Sequence, residues 1–393
     1  MTSRPPANGR LAPFGTSIFT EMSRLAAEHQ AVNLGQGFPD FPGPDFLKAA
    51  AKAAIDGDRN QYARMAGEPA LVRAIAADFE RRHGLAYDPL EEVTVHAGCT
   101  EAIFCSILAL CAPGDEVVLF EPFYDSYRAV VALAGAEARV VTLRDPSFTW
   151  QPGDLERAFS PRTRLVVVNS PHNPTGRVFS RAELEAIAAL ARRHDAYVIS
   201  DEVYEHLVFE GRHVPIATLP GMRDRTLTLS STGKTFSLTG WKVGWSIGAR
   251  PLAQAVRGVH QFATFATATP FQHAMSEALA TSDAYYRDLV TAYRARRARI
   301  LEILGAAGFG VRVPEGSYFA CADVRPLGFE DGAAFCRHLV QKVGVAAIPM
   351  SAFYEEEAPG RPADGRHLVR FAFCKSEATL SAAAERLRSW SRT

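Results

Sequence analysis

The residues of this 393-residue chain that could do covalent chemistry gather around one lysine. In Ser230-Ser231-Thr232-Gly233-Lys234-Thr235-Phe236-Ser237-Leu238-Thr239-Gly240-Trp241-Lys242-Val243-Gly244-Trp245, Lys234 follows small and hydroxylated residues just past an apolar run. Backbone and hydroxyl groups at such a place can reach a phosphate, and the amine can form a Schiff base with a carbonyl. That role needs a neutral amine for part of each cycle, which partial burial beside other cations provides. Lys242 is the neighbouring cation and could itself pair with phosphate. A Walker-type loop does not fit, because no glycine stands five residues before Gly233. A surface lysine after a turn would carry the same local sequence.

Other segments place polar side chains just past strand ends. Ser200-Asp201-Glu202-Val203-Tyr204 puts Asp201 at a carboxyl edge, where α/β folds bind ligands. A carboxylate there can keep a pyridine nitrogen protonated and make the ring an electron sink, or it can simply cap a helix. Tyr204 offers a phenol to a ring oxygen. Asn173 lies in Asn169-Ser170-Pro171-His172-Asn173-Pro174-Thr175-Gly176, a turn that alone signifies a bend. In Ala97-Gly98-Cys99-Thr100-Glu101-Ala102 a strand passes into a helix, whose free N–H groups and dipole suit an anion; an ordinary helix start looks the same. Glu121-Pro122-Phe123-Tyr124-Asp125-Ser126-Tyr127 offers Phe123 as an aromatic to lie on a heteroaromatic ring, or as a core residue.

The elements that must position these groups are legible as alternation. Seven apolar, β-branched runs read as strands: 93–98, 117–121, 138–143, 165–169, 197–201, 226–230 and 243–248. Helix-period stretches such as 101–110 and 180–194 lie between several of them, the second opening on a Ser180/Glu183 capping box. This pattern predicts an α/β fold with a mainly parallel sheet covered on both faces. The 226–230 and 243–248 runs are too close for a long helix and could pair antiparallel. Beyond residue 280 a long charged helix (285–304), short strands near 310–323 and 366–373 and a terminal helix predict a smaller α+β domain. Residues 46–285 are expected to form the large domain, with 1–45 and 286–393 forming the small one. The Pro- and Gly-rich first ~45 residues are expected to wander over the small domain's surface.

Composition narrows the class. Hydrophobic residues make up 47% and charged residues 22%, and the formal net charge is zero, so nothing favours nucleic acid or an anionic membrane. The six cysteines form no C-x-x-C pair and are expected to be buried, reduced thiols rather than metal ligands. The N-terminus has no apolar signal segment, and no uncharged run approaches the ~20 residues of a membrane helix. A cytoplasmic protein acting on small molecules is expected.

Taken together, these segments resemble the fold-type I, class I/II aminotransferases, which use pyridoxal 5'-phosphate (PLP). Within them the chain is similar to kynurenine aminotransferase (glutamine transaminase K), methionine aminotransferase and actinobacterial N-succinyldiaminopimelate aminotransferase. The resemblance runs from Asn33-Leu34-Gly35-Gln36-Gly37-Phe38-Pro39-Asp40 through Asn60-Gln61-Tyr62 to His367-Leu368-Val369-Arg370-Phe371-Ala372-Phe373-Cys374-Lys375. It implies a large domain with a seven-stranded sheet, and Lys234 as both Schiff-base lysine and proton carrier. By the same resemblance Asp201 pairs with the pyridinium, Asn173 and Tyr204 contact the ring oxygen, and Phe123 stacks on the ring. Ser231, Lys242 and the backbone of Cys99 and Thr100 would hold phosphate, and Tyr62 would reach a phosphate across a homodimer interface. Arg370 would grip the substrate α-carboxylate, helped by Gly37 and Asn173, with Phe19 lining the substrate pocket. Kynurenine-type enzymes carry an aromatic residue at Thr100 and a tryptophan at Phe19, so a kynurenine pocket is in doubt here. The implied activity is ping-pong transfer of an amino group from an L-amino acid to a 2-oxo acid. A β-lyase, cyclase or oxidase could use the same residues. Methionine, glutamine, aromatic amino acids and N-succinyldiaminopimelate all fit as substrates.

Overall fold

The computed structural model describes residues 8–12, 14, 15, 18–355 and 365–390. The start of the segment expected to lack a signal sequence, residues 1–7, lies outside them. All seven expected runs form one sheet, in the order Val93–Ala97, Val243–Ile247, Thr226–Ser231, Tyr197–Asp201, Thr163–Asn169, Glu116–Glu121, Glu137–Thr142. The last five in that order pair parallel, whereas Val243–Ile247 runs antiparallel to both its neighbours. Parallel strands are covered on both faces, so their sequences are continuous rather than alternating: Val166, Val167 and Val168 are all buried.

The helices begin where local chemistry allows. Helix Cys99–Leu110 starts two residues earlier than expected, because Gly98 takes a left-handed conformation (φ 79°) and turns the chain straight out of the strand. Helix Arg181–Arg193 opens on the predicted capping box: the Glu183 N–H donates to the Ser180 hydroxyl, and the Ser180 N–H donates to the Glu183 carboxylate at 2.9 Å.

A second, four-stranded antiparallel sheet has the order Ile348–Pro349, Leu368–Ala372, Phe319–Asp323, Gly310–Val311. Helix Asp283–Ala306 packs against it and against the terminal helix Glu377–Trp390. The boundary expected between residues 285 and 286 falls inside the first turn of Asp283–Ala306. The N-terminal segment departs from expectation. Residues Ile18–Glu28 form a helix that buries Met22, Leu25 and Ala26, and Val32–Asn33 pairs with Val345–Ala346. The prolines and glycines that suggested an irregular path flank this helix, and its interior keeps the i, i+3, i+4 apolar spacing.

All six cysteines are free thiols, five of them buried. Among the described residues no helix is long and apolar enough to cross a membrane. Replacing Ser180 with Ala removes one half of the capping box at a residue that does not line the cavity around Lys234. The expected outcome is a loss of about 1 kcal/mol in stability with unchanged turnover, measured by denaturant titration alongside an activity assay.

Candidate active site

A cavity of about 490 Å³ opens where Lys234, Asp201 and the start of helix Cys99–Leu110 meet. Lys234, Asp201, Tyr204, Asn173, Cys99, Thr100, Ser231, Lys242, Arg370, Gly37 and Phe19 all line it. Phe123 and Tyr62 do not.

Lys234 stands on a single helical turn, Thr232–Thr235, directly after strand Thr226–Ser231. Its Nζ donates to the Gly37 carbonyl at 3.2 Å and lies 5.6 Å and 5.9 Å from the Tyr318 and Tyr204 ring centroids. Burial depresses the Lys234 pKa; Arg370 and Lys242 push the same way, against Asp201. A neutral amine is thereby brought within reach.

Asp201 ends its strand almost fully buried. One carboxylate oxygen accepts the Tyr127 hydroxyl at 2.6 Å, and the other accepts the Val203 N–H at 3.3 Å. Burial nevertheless raises its pKa above the usual carboxylate range. A charged carboxylate at this depth calls for a cation in the cavity, and a protonated ring nitrogen is of that kind.

The opposite end of the cavity is an anion cradle. The first N–H groups of a helix have no intrahelical partner, and here they are those of Cys99 and Thr100. A Cβ built on Gly98 would lie 3.1 Å from Lys242 Nζ, so the ammonium rests against this glycine. One built on Gly244 would lie 2.6 Å from the Cys99 nitrogen, so only glycine lets the strand approach the helix start. Together with Ser231, these groups have the donor chemistry a phosphate needs.

Arg370 comes from the other sheet and is 1% exposed. Its Nη1 donates to Asn173 Oδ1 at 2.8 Å and its Nη2 to the Gly35 carbonyl at 2.9 Å, while buried Nε has no partner. The guanidinium lies 4.0 Å from the Phe319 ring centroid and 5.3 Å from that of Phe19. Burial lowers its pKa to about 10, which leaves it cationic at neutral pH. Among the described residues no carboxylate pairs with it, unlike a surface ion-pair arginine. Asn173 is held in turn by Asn169, whose Oδ1 accepts the Asn173 N–H at 2.8 Å and whose Nδ2 donates to the Asp201 carbonyl at 2.9 Å.

Phe123 stands elsewhere, and Tyr62, expected to act across an interface, lies outside the cavity of its own chain. Phe123 is buried in the core and its N–H donates to the Phe353 carbonyl, so it offers no face to the cavity; the next residue, Tyr124, lines it. Tyr62 is 87% exposed and meets Phe265 edge-on at 5.7 Å, outside the cavity of its own chain. Sequence reasoning assigned nothing to Tyr127, Tyr318 or Asn169. Tyr127 was visible as the i+3 neighbour of Tyr124 at a helix start, and Asn169 as the last residue of a strand. Tyr318, whose hydroxyl donates to the Gly37 carbonyl at 2.6 Å, carried no local signal.

Comparison with known proteins agrees with this geometry. The family model for aminotransferase class I and II matches residues 29–387. The probable N-succinyldiaminopimelate aminotransferase of Mycobacterium tuberculosis is 50% identical over 96% of this chain and 97% of its own. The methionine aminotransferase of Escherichia coli is 41% identical over 99% of this chain and 100% of its own. The solved structure of N-succinyldiaminopimelate aminotransferase from M. tuberculosis superposes with a TM-score of 0.94, covering 98% of this chain and 99% of that one. The chain belongs to the class I and II aminotransferases. It is a PLP-dependent enzyme that transfers amino groups, with an amino acid and a 2-oxo acid as its substrates.

The buried Asp201 gives a prediction of definite sign. Its folded-state pKa is raised, so folding takes up a proton between the unfolded and folded values, and stability falls as pH rises through that window. Cofactor-free Asp201→Asn protein is therefore expected to melt above cofactor-free wild type at neutral pH, while its PLP dissociation constant rises. Thermal melts with and without PLP check both; a lower apo melting temperature in the variant would show that the carboxylate is already satisfied.

Proposed function

We propose that this enzyme transaminates L-amino acids with large, uncharged side chains, in a homodimer whose sites are shared across the interface. The observation that carries the substrate reading is the allocation of charge in the cavity. Its lining cations are Lys234, Lys242 and Arg370, and its lining carboxylates are Asp201 and Asp125. With Lys234 and Lys242 committed to the cofactor, Arg370 alone is left for a carboxylate, and an α-carboxylate uses it. A second carboxylate on the substrate would meet Asp125 rather than a cation. Phe19, Phe38, Tyr124 and Phe319 offer apolar surface instead.

The same allocation orders the chemistry. PLP, when bound, supplies an aldehyde that condenses with amines and a protonated pyridine ring that withdraws electrons. The chain's own groups do the rest. Lys242, Ser231 and the helix start at Cys99 and Thr100 hold the phosphate; Tyr62 of the partner subunit is proposed to add to them. Asp201, aligned by Tyr127, keeps the ring nitrogen protonated. Asn173 and Tyr204 face the ring oxygen, and Tyr124, rather than Phe123, takes the ring face. Arg370 and Asn173 orient the substrate by its α-carboxylate. Lys234 Nζ, its pKa depressed by burial, would take the proton from the substrate's Cα and return it to the cofactor's aldehyde carbon, on the far side of the amino nitrogen. The exposed Tyr62–Phe265 pair supports the dimer, since an aromatic 87% exposed on a monomer is at home in an interface. We read residues 46–285 as the domain that holds the cofactor, with 1–45 and 286–393 bringing Arg370, and a cytoplasmic enzyme.

Three outcomes follow. The visible absorption of the PLP-loaded protein is expected to be lost in Lys234→Ala. Arg370→Lys keeps the charge but removes the fork, and kcat/KM for the amino acid is expected to fall roughly a hundredfold. Methionine and aromatic amino acids are expected to surpass aspartate, glutamate and N-succinyldiaminopimelate in kcat/KM. Steady-state assays with each donor decide this, and preference for a donor with a second carboxylate would overturn the charge allocation. Ammonia release without a 2-oxo acid would indicate a lyase instead.

A further inference from the structure

Directly below the phosphate end of the cavity lies a buried polar cluster with no part in the reaction described above. Glu101, in the first turn of helix Cys99–Leu110, faces His260, which is fully buried on helix Arg250–Ala263. His260 Nδ1 is 2.7 Å from Glu101 Oε1, and its Nε2 is 3.0 Å from the Met65 carbonyl. A carbonyl can only accept, so Nε2 carries a hydrogen. The Glu101 carboxylate also accepts from the Ala97 N–H and the Thr264 hydroxyl. The two ring nitrogens of His260 thus bridge the Glu101 carboxylate and the Met65 carbonyl, and Glu101 is held from three sides.

The adjacent His96 shows the contrast. Its ring centroid is 4.8 Å from that of His260 and its Nε2 meets the Ser246 hydroxyl at 2.9 Å, while Nδ1 has no partner. Burial, reinforced by His260, holds its pKa down to about 3, so it is neutral. Hydrogen bonds from His260, Thr264 and Ala97 outweigh burial at Glu101 and lower its pKa to about 2. The cluster is thus a network in which the Glu101 carboxylate is ionised and His96 is neutral, with His260 between them.

The pair's attachments indicate what it is for. Through Ala97 and its own helix, Glu101 is tied to the anion cradle at Cys99 and Thr100. Through Met65, His260 holds the loop that carries Tyr62. The backbone N–H groups of Thr264 and Phe265 donate to the His260 carbonyl at 3.2 Å and 3.0 Å, and Phe265 packs on Tyr62. The same loop is also held at Gln61 by Thr269 and at Ala66 by Val95. Among the described residues, the His260 bond is the one that joins it to the phosphate-holding helix through the Glu101 carboxylate.

We propose that the Glu101–His260 pair is a positioning device that fixes the Tyr62–Phe265 pair each protomer presents to its partner's cofactor site. The start of one protomer's phosphate-holding helix thereby helps to set the geometry of the other protomer's site. This rests on the reading that Tyr62 acts across the interface.

Mixed dimers of full-length, differently tagged chains test it in trans. One protomer carries Lys234→Ala, so only the other site gives the visible band of lysine-bound PLP. Adding Glu101→Gln to the Lys234→Ala protomer leaves every residue of the live site's own chain intact. The live site's PLP dissociation constant is expected to rise roughly tenfold, the scale of one lost charge-assisted hydrogen bond. Tyr62→Phe in the same protomer is expected to weaken the live site as well, and the two changes together to be less than additive. His260→Gln, which can satisfy one of the two acceptors but not both, is expected to act as Glu101→Gln does, and serves if that variant does not assemble. If Tyr62→Phe weakens the live site in trans but neither Glu101→Gln nor His260→Gln does, the positioning role is overturned and the shared site stands. If Tyr62→Phe has no effect in trans, the shared site is overturned and the positioning role with it.

Discussion

Strand Val243–Ile247 runs against both its neighbours, and the charge pattern of the cavity depends on that reversal. In antiparallel register Gly244 pairs with Ser231 and Val243 with Ala97. The strand's beginning therefore lies at the ends of Val93–Ala97 and Thr226–Ser231. Lys242, one residue before the strand and in a left-handed conformation, is delivered beside Gly98 and the helix start. The connection between the two antiparallel strands carries Lys234. Two lysine side chains thus come to one cavity, and on the proposed assignment only one has an anion to meet when the cofactor binds. The other is driven toward its neutral form by burial, with Lys242 and Arg370 adding to the push. The nucleophilic amine is a consequence of topology before it is one of side-chain chemistry.

The parts of this arrangement that were legible in the sequence are those fixed by local order. Strands ending in Asp201 and Asn169 were visible as largely apolar runs, because parallel strands are buried on both faces and leave little polar alternation to blur their ends, whereas the 226–230 run stops one residue short of the strand's end at Ser231. The Ser180/Glu183 box marked a helix start because its partners lie three residues apart. Phe123 and Tyr124 could not be told apart in this way. Which of two adjacent aromatics faces the cavity is a matter of tertiary packing, where the Phe123 N–H pairs with the distant Phe353 carbonyl and its ring joins the core. Tyr318 and the Glu101–His260 pair lay beyond reach for a related reason. Their partners are separated by 281 and 159 residues, and nothing periodic connects them. The helix Ile18–Glu28 was masked by the prolines and glycines on either side of it.

Gly37 is the point where the two sheets' contributions meet. Its carbonyl accepts from both Lys234 and Tyr318, and a Cβ there would come within 2.8 Å of the Phe319 ring. The N-terminal segment, rather than either sheet, therefore supplies the joint between the reacting amine and the wall that carries Arg370. On the proposed assignment, a substrate held by Arg370 would be positioned relative to Lys234 through Gly35, Gly37 and Asn173. A small displacement of the segment would separate orientation from proton transfer, which makes its regular helix and its pairing with Val345–Ala346 part of the catalytic geometry.

Arg370 shows what such a cavity costs before a ligand arrives. A buried guanidinium with an unpartnered Nε and no carboxylate has lost hydration without full compensation; aromatic faces at 4.0 to 5.3 Å offset only part of that loss. Asp201 carries the mirror-image burden at the other end, a carboxylate raised in pKa by burial. The two do not pair: Arg370 is engaged by Asn173 Oδ1, and Asn169 links the Asn173 N–H to the Asp201 backbone carbonyl through both ends of its amide. Direct pairing would stabilise the empty protein and close the site. Held apart, each charge favours the ligand of opposite sign, so binding relieves an electrostatic deficit built in by folding, and ligands that bind only the folded chain stabilise it in proportion to the logarithm of their concentration over Kd.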